Sequence, residues 1–300
     1  MSGGHLSGRV AIVTGAGRGL GRAYALALAE QGAAVLVNDL GGDLHGVGRD
    51  ATPAAEVVDA IKAKGGRAAI SGHDVADWAD AEAMIRQAVD TFGGLHILVN
   101  NAGILRDKLF ANMSEEEWDA VIRVHLKGHA APSRHAMAYW RNAAKAGDEI
   151  KASIVNTTSL AGLMGNFGQA NYASAKLAVV ALARTLALEG AKYGVRANAV
   201  SPSARTRIEA SLKKPPEDVF DVFDPANVAP LICWLAMADC PATGQVFQAY
   251  GNRVEVIQPS TIAVDVRTDG RWKLDDLDNA LRGRLPTLPK LGDFVEGLAV

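Results

Sequence analysis

Tyr172 and Lys176 stand four residues apart in the segment Tyr172-Ala173-Ser174-Ala175-Lys176. On a helix that spacing puts both side chains on one face. A phenol is a poor base near neutral pH because its ordinary pKa is about 10. An adjacent ammonium favours the phenolate. Tuned in this way, Tyr172 can remove the proton of an alcohol while the carbon gives up its hydride. Ser159 lies thirteen residues earlier, just after the apolar run Ile154-Val155-Asn156-Thr157, and its hydroxyl can orient a substrate oxygen. An exposed Tyr and Lys on a helix is common for any single such pair, so the rest of the chain must decide.

A hydride needs an acceptor, and the N-terminal part has residues to hold one. The run Val10-Ala11-Ile12-Val13-Thr14 leads straight into Gly15-Ala16-Gly17-Arg18-Gly19-Leu20-Gly21. Glycines let backbone approach a pyrophosphate, and a helix N-terminus behind them offers unpaired N–H groups and partial positive charge. No Gly-Lys-Ser/Thr ending follows, so an ATP-type loop fails, and the glycine spacing departs from G-x-G-x-x-G. Asp39 ends the next apolar run about twenty residues on, where a carboxylate accepts the ribose hydroxyls of NAD and repels the extra phosphate of NADP. Arg18 argues the other way if it pairs with that phosphate, and is neutral to the choice if it is merely solvated. NAD is the expected cofactor. Asp74, before Val75, is placed either to meet the adenine or to cap a helix. Asn100-Asn101-Ala102-Gly103 closes another strand at the edge where open α/β sheets bind ligands.

These residues must be positioned by strands alternating with helices. Strand-like runs occur at Val10 to Thr14, Ala34 to Asn38, Arg67 to Ser71, His96 to Asn100, Ser153 to Thr157, Arg196 to Val200 and Gln245 to Ala249. Several are continuously apolar, as strands covered on both faces are. Gly21 to Gln31 reads as a helix ending at Gly32, and Ser114 with Glu117 forms a capping box opening another. The expected fold is α/β: a Rossmann-type doubly wound parallel sheet of about seven strands with helices on both faces. Residues 1–254 form the dinucleotide-binding domain. Residues 255–300 form an extension packed on the domain or on a neighbouring subunit, with Pro259, Pro286 and Pro289 and one short helix marked by Leu274, Leu277 and Leu281. The polar stretch Trp140 to Lys151 reads as a surface excursion.

Composition excludes several classes. The 300 residues are 49% hydrophobic with a formal net charge of -2, and no basic tract offers a footprint for nucleic acid. Cys233 and Cys240 make no disulfide framework and match no common zinc signature. His125 and His129 are four apart, but Leu126 stands where a metalloprotease helix needs Glu, so no metal is expected. Met1 to Gly8 is short and polar, and no apolar run is long enough to cross a bilayer. The expectation is a cytoplasmic protein that engages neither membrane nor nucleic acid and acts on a small molecule.

Thr14 to Gly21, Asn100 to Gly103, Ser159, and Tyr172 with Lys176 resemble, in order and spacing, the hallmark motifs of the short-chain dehydrogenase/reductase family; the resemblance covers roughly Leu6 to Tyr250. It implies Tyr172 as catalytic acid/base, Lys176 on the ribose and lowering the tyrosine pKa, and Ser159 on the substrate. It also implies cofactor contacts from Gly15, Gly17, Arg18, Gly19, Leu20, Gly21, Asp39, Asp74, Val75, Asn100, Ala102, Gly103, Tyr172, Lys176, Pro202 and Ala204. Two departures stand out. His125 occupies the place of the family's fourth catalytic residue, an Asn acting through its backbone carbonyl, and Pro202-Ser203-Ala204-Arg205-Thr206-Arg207 replaces a common Pro-Gly. Segments Val37 to Asp43, Ala102 to Asp107, Val124 to Gly128 and Gly165 to Tyr172 are similar to one branch, the dehydrogenase domains of peroxisomal multifunctional enzymes of type 2, where His also replaces the Asn. That branch implies oxidation of (3R)-3-hydroxyacyl-CoA to 3-oxoacyl-CoA with NAD. A hydroxysteroid or steroid-derived CoA ester, an acyl-carrier-protein reductase and a dinucleotide-sensing binding protein are the alternatives. By analogy the protein is a homodimer or homotetramer.

Overall fold

Seven parallel strands and one antiparallel strand build the sheet that carries everything else. A computed structural model describes residues 4–206, 213–216, 218–258 and 263–287; Arg207, Pro259 and Pro289, singled out above, lie outside these residues. The strands are β1 (Val10–Thr14), β2 (Ala34–Asn38), β3 (Ala68–Ser71), β4 (Ile97–Asn100), β5 (Ala152–Thr157), β6 (Val195–Pro202), β7 (Val246–Tyr250) and β8 (Arg253–Ile257). Their order is β3-β2-β1-β4-β5-β6-β7-β8. The order reverses between β1 and β4, which opens the crevice where such sheets bind ligands.

Side chains alternate across each strand, and each face buries its own core. Ala11, Val13, Val35, Val37, Ile97 and Val99 pack under α1 (Gly19–Glu30), α2 (Thr52–Ala63) and α8 (Ala229–Ala236), through Tyr24, Leu28, Ile61 and Leu235. Ile12, Leu36, Leu98 and Ile154 pack on the opposite face under α3 (Trp78–Phe92), α5 (Gly128–Ala146) and α7 (Ala170–Gly190), through Met84, Trp140 and Leu186. Truncating a side chain such as Leu98 to Ala costs about 2–5 kcal/mol, transfer and cavity together.

Local signals set the helix ends. The Ser114 capping box is present at the start of α4 (Glu115–Val121), and Gly32 takes a positive φ just beyond α1. Two elements depart from the expectation. Trp140–Ala146 is not an excursion but the end of α5. Trp140 is buried, its indole N–H donating to Leu95 O at 2.7 Å, while the polar residues around it face water. β8 pairs antiparallel with β7 and extends the sheet past the seven strands foreseen. Its Val254 and Val256 are exposed, so burial did not mark it as a strand.

Between α4 and α5 the chain makes one π-helical turn, Ile122–Lys127. Such turns often sit at functional sites, and His125 is on this one. The chain divides into two compact units, Met1–Ile257 and Gln258–Val300. The second contains the short helix α9 (Leu274–Arg282), with Leu277 and Leu281 half-buried and Arg282 paired to Asp278.

Candidate active site

Thr14 joins the two halves of the crevice. Its hydroxyl donates to Val99 O (3.4 Å) and accepts from the N–H groups of Asn101 (2.9 Å) and Ala102 (3.1 Å). The Asn101 amide donates to Thr14 O at 3.0 Å. The glycine loop is thereby tied to the end of β4, so closely that a Cβ at Gly15 would lie 2.8 Å from Ala102 Cα. Gly15 and Gly19 both have positive φ, a conformation that favours glycine. Gly21 lies against the Gly15 carbonyl, with no space for a side chain.

A cavity of about 350 Å3 opens from this loop and is lined by ten of the residues expected at a cofactor: Gly15, Arg18, Gly19, Leu20, Gly21, Asp39, Asp74, Val75, Ala102 and Gly103. Gly17 stands behind it, its N–H donating to Asp39 Oδ2 at 2.7 Å, and Gly41 N–H donates to Oδ1 at 2.6 Å. These bonds aim the carboxylate, and each oxygen keeps a lone pair for a ligand hydroxyl. The Arg18 guanidinium lies 3.8 Å from Asp50 Oδ2, so a carboxylate already faces it. Hydrogen bonds from Thr52 hold the Asp50 carboxyl below the usual range, and it stays charged.

Asp74 is not the cap of α3, since Asp77 accepts from Ala79 and Asp80 N–H in that role. Its carboxylate instead accepts from Ala76 N–H at 2.8 Å and pairs with Arg123 at 2.5 Å on the cavity wall. The segment after Asp39, which carries Asp43, His45 and Gly46, folds over this region. Leu105 N–H donates to Leu44 O (3.1 Å), His45 Nδ1 lies 3.0 Å from Leu105 O, and Arg106 donates to His45 O (3.0 Å). A second cavity, of about 580 Å3, is bordered by Arg22, Leu26 and Cys233; Ser159, Tyr172 and Lys176 line neither it nor the cavity at the glycine loop.

On α7, Lys176 is fully buried and its Nζ donates to Thr157 O at 2.6 Å, 5.6 Å from the centre of the Tyr172 ring. Burial lowers the lysine pKa to about 7, because the charged form loses its hydration. Thr158 Oγ1 donates to Lys176 O at 2.7 Å. The next residue, Ser159, caps α6 (Leu160–Met164) by accepting from Ala161 N–H at 3.2 Å. Gly162 of α6 lies against the backbone at Lys176 and Leu177, where a Cβ would stand 2.7 Å from Leu177 N. Ser159 is thus held beside the helix that carries Tyr172 and Lys176. Asn171 fixes the start of α7, donating to Arg106 O (3.1 Å) and Glu117 O (3.0 Å) while accepting from Tyr172 N–H (2.7 Å).

Asn100 does not face the cavity. Its amide donates to Ser133 Oγ (2.9 Å) and Asn156 Oδ1 (2.8 Å) in the buried layer under α5. Its neighbour Asn101 takes the cavity wall instead. Pro202 and Ala204 lie at the end of β6, outside that cavity's lining, where Thr206 reaches it. Thr14, Asn101, Asp50, Arg123 and Thr206 are the residues sequence reasoning left without a site role. Thr14, at the head of the glycine motif, and Asn101, next to Asn100 at a strand end with period two, carried a local signal.

The family described as short chain dehydrogenase matches residues 9–216. Hydroxyacyl-CoA dehydrogenase ChsB1 of Mycobacterium tuberculosis is 43% identical over 286 residues, 92% of this chain and 88% of that protein. Peroxisomal multifunctional enzyme type 2 of Mus musculus is 45% identical over 241 residues, 80% of this chain but 31% of the mouse protein. The crystal structure of a short chain dehydrogenase from Mycobacterium avium has a TM-score of 0.86 and 46% identity, covering 96% of this chain and 98% of that one.

Proposed function

Since this chain belongs to the short-chain dehydrogenase family and is an oxidoreductase acting on a CH–OH group, we propose that it oxidises (3R)-3-hydroxyacyl-CoA to 3-oxoacyl-CoA with NAD. The thioester reading is supported by the name of one relative, hydroxyacyl-CoA dehydrogenase ChsB1, and by the length over which it matches. The observation that carries the chemistry is a buried lysine beside a tyrosine ring, with the His125 ring bridging that tyrosine to Gly103 on the wall of a glycine-lined cavity.

NAD fits the cavity on its own residues: glycines without side chains at the loop, and a carboxylate at Asp39 with lone pairs to spare. When bound, it supplies the acceptor for the hydride. Tyr172, as phenolate, takes the hydroxyl proton of the substrate as the C–H pair leaves, and the Lys176 ammonium stabilises negative charge on the phenol oxygen. Ser159 donates to the substrate oxygen and orients it. Asp39, together with an Arg18 already opposed by Asp50, favours NAD over NADP. The family's habit of pairing the helices equivalent to α5 and α7 supports a homodimer or homotetramer here, with exposed Leu177 and Leu188 on α7 as contact residues.

The test is NADH formation across 3-hydroxyacyl-CoAs of both configurations, with hydroxysteroids alongside. Turnover of (3R) thioesters is expected, and no turnover of any thioester would remove the substrate assignment. Tyr172→Phe is expected to lose about 10²–10⁴-fold in kcat while NAD binding stays nearly unchanged. Equal activity in that variant would refute the mechanism.

A further inference from the structure

The family places a backbone carbonyl at position 125, yet here the side chain has its own set of contacts. The His125 imidazole is buried and meets the Tyr172 ring edge to face, centroids 5.0 Å apart and planes at 87°. Its Nε2 lies 2.8 Å from Ile104 O and 3.1 Å from Ile104 N. Its Cε1 rests on the bare backbone of Gly103, at a place no Cβ could share. Gly103 and Ile104 also line the dinucleotide cavity. One ring therefore touches the proposed acid/base on one side and the cavity wall on the other.

We infer that the His125 side chain is a positioning residue that fixes the Tyr172 ring relative to the Gly103–Ile104 wall of the cavity. The inference rests on the reading of Tyr172 as acid/base. An edge-to-face contact has a preferred geometry, so it restricts the tilt of the phenol about its side-chain bonds. The double approach to Ile104 restricts the imidazole in turn. The π-helical turn Ile122–Lys127 carries the ring that makes both contacts. The imidazole works as a neutral group: burial first, and the Lys176 ammonium second, hold its pKa well below the ordinary value. The groups facing it are Lys176 and Tyr172 from α7 and the equally buried His129 from α5. An asparagine keeps the backbone carbonyl at 125 but has no ring to set against the phenol.

The experiment compares His125→Asn and His125→Phe with the parent protein. Turnover is measured against pH, and the cofactor-free proteins are titrated by ultraviolet difference absorbance of tyrosinate, with Tyr172→Phe subtracted to isolate one phenol. For the Asn variant, kcat falls at least about tenfold while KM for the thioester changes little, and the Tyr172 titration moves along the pH axis. The Phe variant, which keeps a ring edge, recovers part of kcat. Should the Asn variant precipitate, His125→Gln retains an amide for the Ile104 backbone without a ring and is expected to show the same loss. Parental turnover and an unmoved tyrosine titration in the Asn variant, or in the Gln variant used in its place, overturn the inference. If Tyr172→Phe is also active, the catalytic reading has failed; if Tyr172→Phe is dead while the Asn variant is normal, only the role of the ring has failed.

Discussion

Lys176 keeps its ammonium inside the protein at a cost. Burial lowers its pKa from 10.5 to about 7. Between those two values the unfolded chain binds a proton that the folded chain does not, so stability rises with pH across that window. Below pH 7 the lysine is charged in both states and the penalty is complete, about 5 kcal/mol at 1.36 kcal/mol per unit. His125 and His129, also buried and held well below their ordinary pKa, add the same sign further down. As pH falls through about 6.5 the unfolded imidazoles take protons, and the native state loses ground. Lys176→Met keeps the volume and removes the charge, though it leaves Thr157 O without this donor. The variant is expected to be inactive yet more stable, with Tm raised by about 4–8 °C at pH 6. Scanning calorimetry at pH 6 and pH 9 checks this. The gain must shrink at the higher pH, and a gain that grows would mean the lysine is not the source.

Loops and helix ends divide the work in the proposed choice of dinucleotide. The glycine turn presents backbone, Asp39 presents a carboxylate oriented by two N–H groups, and Asp50 at the end of the covering segment opposes Arg18. An ion pair this exposed is worth about 0–1 kcal/mol. Asp50→Asn is therefore expected to improve NADP+ binding about two- to fivefold, with the proposed preference for NAD+, carried by Asp39, retained. Tryptophan-quenching titrations with both nucleotides measure the ratio, and an unchanged ratio would show that Arg18 does not reach the extra phosphate. Most of these elements were legible in the sequence because each is written locally: glycines at a turn, apolar runs, a Ser and Glu three apart. What was not legible depended on partners distant along the chain. Thr14 acquires its role only when β4 arrives beside it, and His125 acquires its ring contacts only when α7 packs against the π-helical turn. Asn100 and Asn101 look equivalent in a list of letters, but alternation sends one toward Ser133 and the other toward Thr14. Trp140–Ala146 looked like loop because one buried tryptophan anchors an otherwise polar helix end.

For the whole molecule, the proposed association can be tested at exposed apolar residues. Leu188 on α7 is 81% exposed and Leu177 is 52% exposed, on the same helix as Tyr172 and Lys176. With oligomerisation through α5 and α7, Leu188→Lys is expected to shift the protein to a smaller species in sedimentation velocity. An unchanged sedimentation coefficient would move the interface elsewhere, with the valine-bearing edge of β8 the next surface to change.

The strand order has a further consequence for how the chain is made. β1 pairs with β2 on one side and with β4 on the other, so Val10–Thr14 leaves the ribosome with one edge that no neighbour can cover until residue 97 has emerged. During that interval a strand apolar from Val10 to Val13 is open to any extended peptide nearby. A chaperone that arrives before β4 would find its binding segment there, and a chain arrested short of β4 would present that same segment to the aggregation and degradation machinery.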